Sequence, residues 1–311
     1  MKQITRDDFN KIFMQPGIFC KESGFEGRND IALYYDMLNR TVDYSELNAI
    51  IKKYNIKAIS IERGFDDKWK AENKKDFFDN VDLHNITGFY ASDVDYELVL
   101  KLCPNLQCIK LDLKENQIVD VSKSTKLIYL AISGFNGSNV KGIKDGSSIV
   151  FWGKRGKKFE FPNSLPRRLK TLGFLYYKDI DLDSLNLEYL EKYDSCYGGK
   201  SIILSADNKF VPYLKSIDVA NGDCSFLTSS FFEKAQSLKV LMIENCTPIA
   251  SLKGLCPLYH VSITGTDILD KDLTPLMSSK YVNVTDKKGF NIKNKNLPKN
   301  SVLDPLTLEL K

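Results

Sequence analysis

The side chains best suited to catalysis or metal binding are few in this chain and widely spaced. The two histidines, His84 and His260, are separated by about eight repeats of the pattern described below, so we do not expect them to share a site. No Cys-x-x-Cys pair occurs, and Cys103 and Cys108 lack the further ligands that zinc needs. Neither a phosphate-binding glycine loop nor a G-x-S-x-G nucleophile motif is present. We therefore expect no catalytic residues, no metal, no cofactor and no small-molecule substrate.

One run of basic residues has a spacing that suits an anion. It comprises Lys154, Arg155, Lys157 and Lys158, and Arg167, Arg168 and Lys170 follow nearby. Such a run could meet an acidic partner or a phosphate group. Charge runs are more often simply solvated surface, and the sequence leaves the two readings open.

The overall composition is that of a folded, soluble protein. Hydrophobic residues make up 43% and charged residues 27% of the 311 residues, and 44 basic against 40 acidic side chains leave a net charge of only +4. This near balance argues against nucleic acid as the partner. No apolar run is long enough to span a membrane. The charged N-terminus does not resemble a secretion signal, and the seven scattered cysteines are expected to be reduced, so we expect a cytoplasmic protein.

A triplet of apolar residues with the spacing L-x-x-L-x-L recurs along the chain. Its successive starts are about 22 residues apart on average, within the range of roughly 20 to 29 for leucine-rich repeats. Around position 110 two phases fit, Leu106-Ile109-Leu111 and Cys108-Leu111-Leu113. Weaker triplets, each lacking one apolar residue, start at Leu83, Ser147, Leu187 and Ser279. The clear triplets are Ile56-Ile59-Ile61, Leu127-Leu130-Ile132, Leu169-Leu172-Phe174, Leu214-Ile217-Val219, Leu238-Leu241-Ile243 and Leu258-Val261-Ile263.

The spacing of the triplet indicates a strand with one buried face. The second and third apolar residues are two positions apart, so they point to the same side of a strand. Burying each contributes roughly 1.5–3 kcal/mol before chain entropy is subtracted, which is too little for one repeat alone. Neighbouring repeats must therefore stack and share a continuous core.

These residues resemble the leucine-rich repeat family, in a short, irregular, internalin-like form. The best match is residues 252–284, where Thr266 stands at the family's Asn position and residues 272–276 resemble an internalin return segment. Cys246 occupies the Asn-or-Cys position of another repeat. Other repeats have Gly64, Ala91, Tyr177 or Gly222 there, so we expect no continuous asparagine ladder. The resemblance implies an α/β solenoid, a leucine-rich-repeat horseshoe or arc with a parallel concave β-sheet and a helical N-terminal cap.

The pattern divides the chain into three parts. Residues 1–50 are predicted to be a helical N-terminal cap, with a helix over 42–54. Residues 51–286 are predicted to form about 10–11 irregular repeats, with short outer helices over 93–103 and 229–235. The register between 187 and 214 stays open, and residues 201–204 are a candidate extra strand. Residues 287–311 are predicted to be a C-terminal cap or tail.

The side chains between the core positions of such a solenoid face the concave sheet surface, and several of them are aromatic. Aromatic residues on an open sheet are typical of protein-binding surfaces. A slip of one residue in the register would instead turn each of them inward. The predicted protein-binding residues are Phe89, Tyr90, Lys110, Asp112, Tyr129, Phe151, Tyr176, Tyr189, Asp218, Glu244 and His260.

These features favour a non-enzymatic module that binds another protein through its concave face. A bacterial intracellular antagonist of the immunity-protein type is one form of it, since the Lys-, Asn-, Ile- and Tyr-rich composition suits an AT-rich genome. An adaptor or scaffold subunit is an alternative, with a second contact patch near Phe9, Ile12 and Phe13. An enzyme with an unrecognised site is less favoured. Bacterial ubiquitin ligases that carry leucine-rich repeats hold their catalytic cysteine in a separate helical domain, and neither end here is long enough for one.

Overall fold

In the computed structural model the strands pair mostly in parallel, and helices are few among the described residues. The chain divides into two compact units, residues 1–131 with 303–311, and residues 132–302. Among the described residues, no helix combines the length and apolar character needed to cross a membrane. The described residues are 18–22, 31–36, 44–62, 71–91, 94–114, 116–157, 159, 165–198, 200–285 and 289–298.

The first unit alternates strands and helices. β1 (Ile18–Glu22) pairs antiparallel with β2 (Ile31–Asp36). From β2 the sheet continues in parallel through β3 (Ala58–Glu62), β4 (Gly88–Ala91) and β5 (Cys108–Asp112). The connections are α1 (Tyr44–Tyr54), α2 (Ala71–Asn80) and α3 (Tyr96–Leu102), because parallel neighbours need a crossover rather than a hairpin. β6 (Val119–Asp120) follows, and β7 (Tyr129–Ser133) contains the boundary between the units.

Two helices predicted from the sequence are confirmed in this unit. The helix predicted over 42–54 is α1, which buries Leu47 and Ile51 one turn apart. The helix predicted over 93–103 is α3, and the Asp95 side chain caps it by accepting a hydrogen bond of 3.1 Å from the Leu98 N–H. The predicted helical cap also contains strands β1 and β2, which the helical interpretation missed. Phe9, Ile12 and Phe13 lie outside the described residues.

The core of the first unit lies on one face of β3, β4 and β5. Ile59, Phe89 and Ile109 are cross-strand neighbours, and each is 0% exposed. Phe77 of α2 and Val99 of α3 are equally buried. The phase Leu106-Ile109-Leu111 is therefore the one that the structure adopts.

The second unit is a run of parallel strands in chain order. After β8 (Val140–Lys141) come β9 (Ser147–Lys157), β10 (Arg168–Tyr177), β12 (Tyr189–Cys196), β14 (Ser216–Ala220), β15 (Val240–Glu244), β16 (His260–Thr264) and β17 (Tyr281–Val284). β11 (Asp179–Asp181) and β13 (Ser201–Ile203) form a separate parallel pair. The extra strand predicted over 201–204 is thus confirmed as β13. The predicted helix over 229–235 is α4 (Ser229–Lys234), and 3-10 turns occupy Val211–Tyr213, Thr274–Ser278 and Asn294–Asn296.

The apolar triplets build the core of the second unit. Tyr193, Ile217, Leu241 and Val261 form one cross-strand row, and each is 0% exposed. Val219, Ile243 and Ile263 form the next row, also at 0–1%. The triplets starting at Leu214, Leu238 and Leu258 are confirmed, because the two residues that share a face lie in these two rows.

Threonine side chains satisfy backbone groups just after the strands. The Cys246 N–H donates to the Thr266 hydroxyl at 2.9 Å, and the Gly265 N–H donates to the Thr285 hydroxyl at 3.0 Å. Thr266 is only 2% exposed. A short hydroxyl thus does here what an asparagine would do in the predicted family position, since a buried N–H needs an acceptor.

Candidate functional site

The eleven residues predicted to share one binding surface fall in both units. Phe89, Tyr90, Lys110, Asp112 and Tyr129 belong to the first unit, and Phe151, Tyr176, Tyr189, Asp218, Glu244 and His260 to the second. The two sets are therefore considered separately. Nine of the eleven are at least partly exposed.

The prediction that Phe89 and Phe151 face outward is wrong, because both are 0% exposed. In β4 the core residue that follows Ile86 is Phe89, whereas the predicted triplet placed Gly88 there. Phe89 is in register with the core residues Ile59 and Ile109. In β9, Phe151 pairs with the buried Phe174, and their ring centroids are 5.8 Å apart. The weak triplet of β4 was placed three residues off and that of β9 one residue off, and a slip by an odd number of residues exchanges the two faces of a strand.

The other predicted residues of the first unit lie on the face opposite the core. Tyr90 and Lys110 are cross-strand neighbours and are partly exposed. Asp112 is also partly exposed, and its backbone N–H donates to the Tyr96 hydroxyl at 2.6 Å. Tyr129 in β7 is partly exposed as well.

In the second unit, the strand residues that alternate with the core residues form a face that we term the open face. It contains two cross-strand rows around the predicted Asp218 and Glu244. The first row is Val150, Gly173, Asp194, Asp218, Met242, Ser262 and Asn283, and the second is Trp152, Leu175, Cys196, Ala220, Glu244 and Thr264. Trp152, and not the predicted Phe151, is the aromatic residue of β9 that faces outward, and it is 36% exposed.

Three carboxylates lie close together on the open face. Asp194 and Asp218 are direct cross-strand neighbours, and Glu244 is in the adjoining row. Burial raises the pKa of Asp218 to about 6, with Asp194 and Glu244 adding to the rise and Lys192 opposing it. Burial also raises the pKa of Asp194, although the Lys192 ammonium lies 3.8 Å from its carboxylate. We term Asp194, Asp218 and Glu244 the acidic patch.

The thiol of Cys196 lies beside the acidic patch. Burial, together with the charges of Asp194, Asp218 and Glu244, raises the pKa of this thiol to about 11. The thiol is therefore protonated at neutral pH. A protonated thiol is a poor nucleophile and a poor metal ligand.

Tyr189 takes part in a network at the start of β12. Its hydroxyl donates to Glu191, which also accepts a hydrogen bond of 2.9 Å from the Lys215 ammonium. These two hydrogen bonds, led by that from Lys215, lower the pKa of Glu191. The Arg168 guanidinium lies 5.0 Å from the centroid of the Tyr189 ring. Tyr189 is thus held by its neighbours rather than presented freely.

His260 lies in the same row as Val240 and Tyr281, at the β16 start. Burial lowers its pKa, and its Nδ1 atom is buried without a hydrogen-bond partner. His84 belongs to the first unit. Among the described residues, no group of three or more His, Cys, Asp or Glu side chains is placed to hold a metal ion.

Two exposed tyrosines stack at the end of the open face. Tyr176 follows Leu175, and Tyr197 follows Cys196, so they hold equivalent places in adjacent strands. They are 37% and 56% exposed, and their ring centroids are 5.6 Å apart at an interplanar angle of 13°. Gly198 allows the chain to pass close here, because a Cβ atom at Gly198 would overlap the carbonyl oxygen of Tyr177.

Both tyrosines have a left-handed backbone. Their φ angles are 68° and 56°, and the equivalent places in the next strands are filled by Asn221, Asn245 and Gly265, with φ of 56°, 51° and 63°. Asn and Gly tolerate this conformation, whereas a bulky residue rarely adopts it. Sequence reasoning found Tyr176 but missed Tyr197. The clue was available, because Tyr197 aligns with Asn221 and Asn245 just after the apolar pairs.

The predicted anion site at the basic run is not described by the structure. Lys154, Arg155 and Lys157 belong to β9, but their side chains, like Lys158 as a whole, lie outside the described part. Arg168 is exposed and Arg167 pairs with Glu188 at 3.2 Å. The choice between an anion site and solvated surface therefore stays a prediction.

Comparison with known proteins identified no relative. No protein-family model matches the chain, and neither a curated protein nor a solved structure matches it. Function is therefore inferred from the geometry of the molecule.

Proposed function

We propose that this chain is a non-enzymatic protein-binding module and that the open face of the second unit is its binding surface. The partner is another protein, which covers the outward side chains of β9, β10, β12, β14 and β15. The module is proposed to be a leucine-rich-repeat solenoid of irregular repeats.

Two observations support the leucine-rich-repeat part of this proposal. Strands β14, β15, β16 and β17 pair in parallel without any shift in register, so each repeat places its apolar pair beside that of the next. The buried Thr266 accepts a backbone hydrogen bond from the preceding repeat at the position where the family carries asparagine. Both features are what stacked repeats with a shared core need.

The observation that carries the binding role is the stacked pair of Tyr176 and Tyr197. A bulky residue with a left-handed backbone costs about 1 kcal/mol relative to glycine, and strain of this kind is concentrated at functional sites. Both rings are also exposed, so little burial offsets this cost. Large, stiff aromatic side chains supply binding area at a low cost in entropy, which makes them frequent anchors in protein interfaces.

The state of Cys196 supports a role without catalysis. Among the residues of the two rows of the open face, Cys196 carries the most nucleophilic type of side chain. Its pKa of about 11 leaves it protonated at neutral pH. An outward sheet face suits contact with a large surface better than enclosure of a small substrate.

The proposal is tested by affinity capture from lysate of the source organism, followed by direct titration with the purified partner. Tyr176→Ala/Tyr197→Ala removes the stacked pair, and Ile203→Ala/Leu269→Ala is the matched control, since both replaced residues are exposed apolar side chains outside the strands of the open face. We expect the tyrosine variant to weaken binding by about tenfold or more. We expect the control to bind like the original chain.

A partner that binds both variants equally would contradict the proposed surface. A Phe151 variant is unsuitable for this test, because Phe151 is buried in the core and its loss would destabilise the strand as well as change the surface.

A further inference from the structure

The open face combines an apolar part with a negatively charged part. In the second row, Trp152 and Leu175 are cross-strand neighbours, and Cys196 lies beside Leu175. The acidic patch lies on β12, β14 and β15. The stacked tyrosines lie at the strand ends beside this row. The surface thus offers ring and aliphatic contacts within reach of three carboxylates.

The acidic patch lacks enough positive charge of its own. Parallel strands are about 4.8 Å apart, so the side-by-side placement of Asp194 and Asp218 opposes like charges. Lys192 lies 3.8 Å from Asp194. Within the described part of the chain, Asp218 has no ion pair.

Lys192, which lies in the flanking row beside Ser216, offsets part of the negative charge at Asp218, but its ion pair is with Asp194. The remaining neighbours of Asp218 in its own row add no positive charge. Toward β10 the same row holds Asp194 and then Gly173, and toward β16 it holds Met242 and then Ser262. His260 lies in the flanking row with Ser216, and burial lowers its pKa, which favours its neutral form. A cation brought by a partner would therefore find at Asp218 a carboxylate that Lys192 compensates only in part.

We infer that the open face binds a basic segment of the partner protein, in which a lysine or arginine side chain lies over Asp194, Asp218 and Glu244 and adjoining apolar residues contact Trp152 and Leu175. This inference rests on the proposed function and adds the chemistry of the partner. Arginine fits best, because its planar guanidinium pairs with carboxylates in a bidentate manner and stacks on aromatic rings such as Tyr197.

Other occupants fit the charge of this face less well. A nucleic acid would bring phosphates to three carboxylates, and an acidic peptide would add to the same repulsion. A second copy of this chain is a further occupant, which the experiment below distinguishes.

The raised pKa of Asp218 agrees with this inference. An unpaired, partly buried carboxylate favours its protonated form, and a neighbouring cation reverses that preference. We therefore expect binding to be stronger above the pKa of about 6 than below it. We also expect binding to release almost no proton at about pH 7.5, where Asp218 is already largely ionised.

The probe is a displayed library of random peptides of about twelve residues, long enough when extended to cross the strands of the open face. It is selected against the full chain at about pH 7.5, and enriched peptides are then titrated as synthetic peptides. We expect enriched sequences to carry Lys or Arg next to large apolar residues. Asp218→Asn should weaken their binding by about tenfold, and salt should weaken it further because it screens charge. Glu233→Gln, at an exposed acidic residue of α4, should leave it unchanged.

The outcomes separate this inference from the proposed function. Peptides that lose binding in Tyr176→Ala/Tyr197→Ala but carry no basic residue, or bind Asp218→Asn equally, overturn the basic-segment inference and leave the proposed function standing. Selection without enrichment, or peptides indifferent to both variants, counts against both. Sedimentation of the chain alone is the remaining measurement. A dimer abolished by Asp218→Asn would assign the face to a second copy and overturn the inference.

Discussion

Asp218 shows how a single side chain on the proposed binding surface can lower the stability of the fold. It is partly buried beside Asp194, and its pKa of about 6 means that the folded chain holds a proton more tightly than the unfolded chain does. Proteins retain such unfavourable groups mainly at functional sites. Tyr197 is likewise unfavourable for stability, because an exposed ring stands where the equivalent positions of the next strands have Asn or Gly.

Asp218→Asn should raise the free energy of unfolding at about pH 7.5. The shift from 3.8 to about 6 corresponds to about 3 kcal/mol, and the partial exposure of the side chain reduces this to about 1–2 kcal/mol. Because the folded-state pKa is raised, the original chain loses this stability as the pH rises from about 4 to about 6. Below about pH 4 the variant and the original chain should therefore unfold alike. Denaturant titrations at the two pH values measure the difference, with Glu233→Gln as the control for charge. If Asp218→Asn and the original chain are equally stable at each pH, Asp218 is well solvated and the prediction is wrong.

Tyr197→Asn should leave the free energy of unfolding unchanged or raise it by up to about 1 kcal/mol. Asn tolerates a left-handed backbone, and this gain offsets the lost stacking on Tyr176. Tyr197→Val should lower the free energy by about 1–2 kcal/mol, because a β-branched side chain is strained at positive φ. Denaturant titration compares the two variants. A loss of more than about 1 kcal/mol in the Asn variant would make the tyrosine pair a structural feature and weaken its assignment to binding.

At the scale of the strand, alternation decides which side chains can serve a binding surface. β9 has Ile149 and Phe151 on its buried face, so Val150 and Trp152 necessarily take the open face. The phenylalanines 135, 151, 159 and 174 pack together, with ring centroids of Phe151 and Phe159 at 4.7 Å. This cluster holds the register of the strand.

Substitutions in β9 test that register directly. Phe151→Ala should lower the free energy of unfolding by about 3–5 kcal/mol, because it leaves a cavity among the phenylalanine rings. Trp152→Ala, at a side chain that is 36% exposed, should cost about 1 kcal/mol while weakening partner binding. Denaturant titrations of both variants give the comparison. A greater loss of stability in Trp152→Ala than in Phe151→Ala would mean that the two faces of β9 are exchanged.

At the scale of the whole molecule, the sequence alone determined the strands of the complete triplets and the face that each of them buries. The complete triplets at Leu214, Leu238 and Leu258 place two apolar residues on one side of each strand, and those residues are buried in register. The helices α1, α3 and α4 and strand β13 also follow from local patterns. These features are predictable because hydrophobic periodicity and capping act over a few neighbouring residues.

Only the tertiary structure decided which residues of the weak repeats face outward and which of them come together. Phe89 and Phe151 were assigned to the wrong face because, without a complete triplet, only the pairing with Ile109 or Phe174 sets the register. The acidic patch and the stacking of Tyr176 on Tyr197 join residues of different strands. Their proximity, and the raised pKa of Asp218 that follows from it, depends on long-range strand pairing. A complete local pattern determines the face of a residue, but no local pattern determines its cross-strand neighbours.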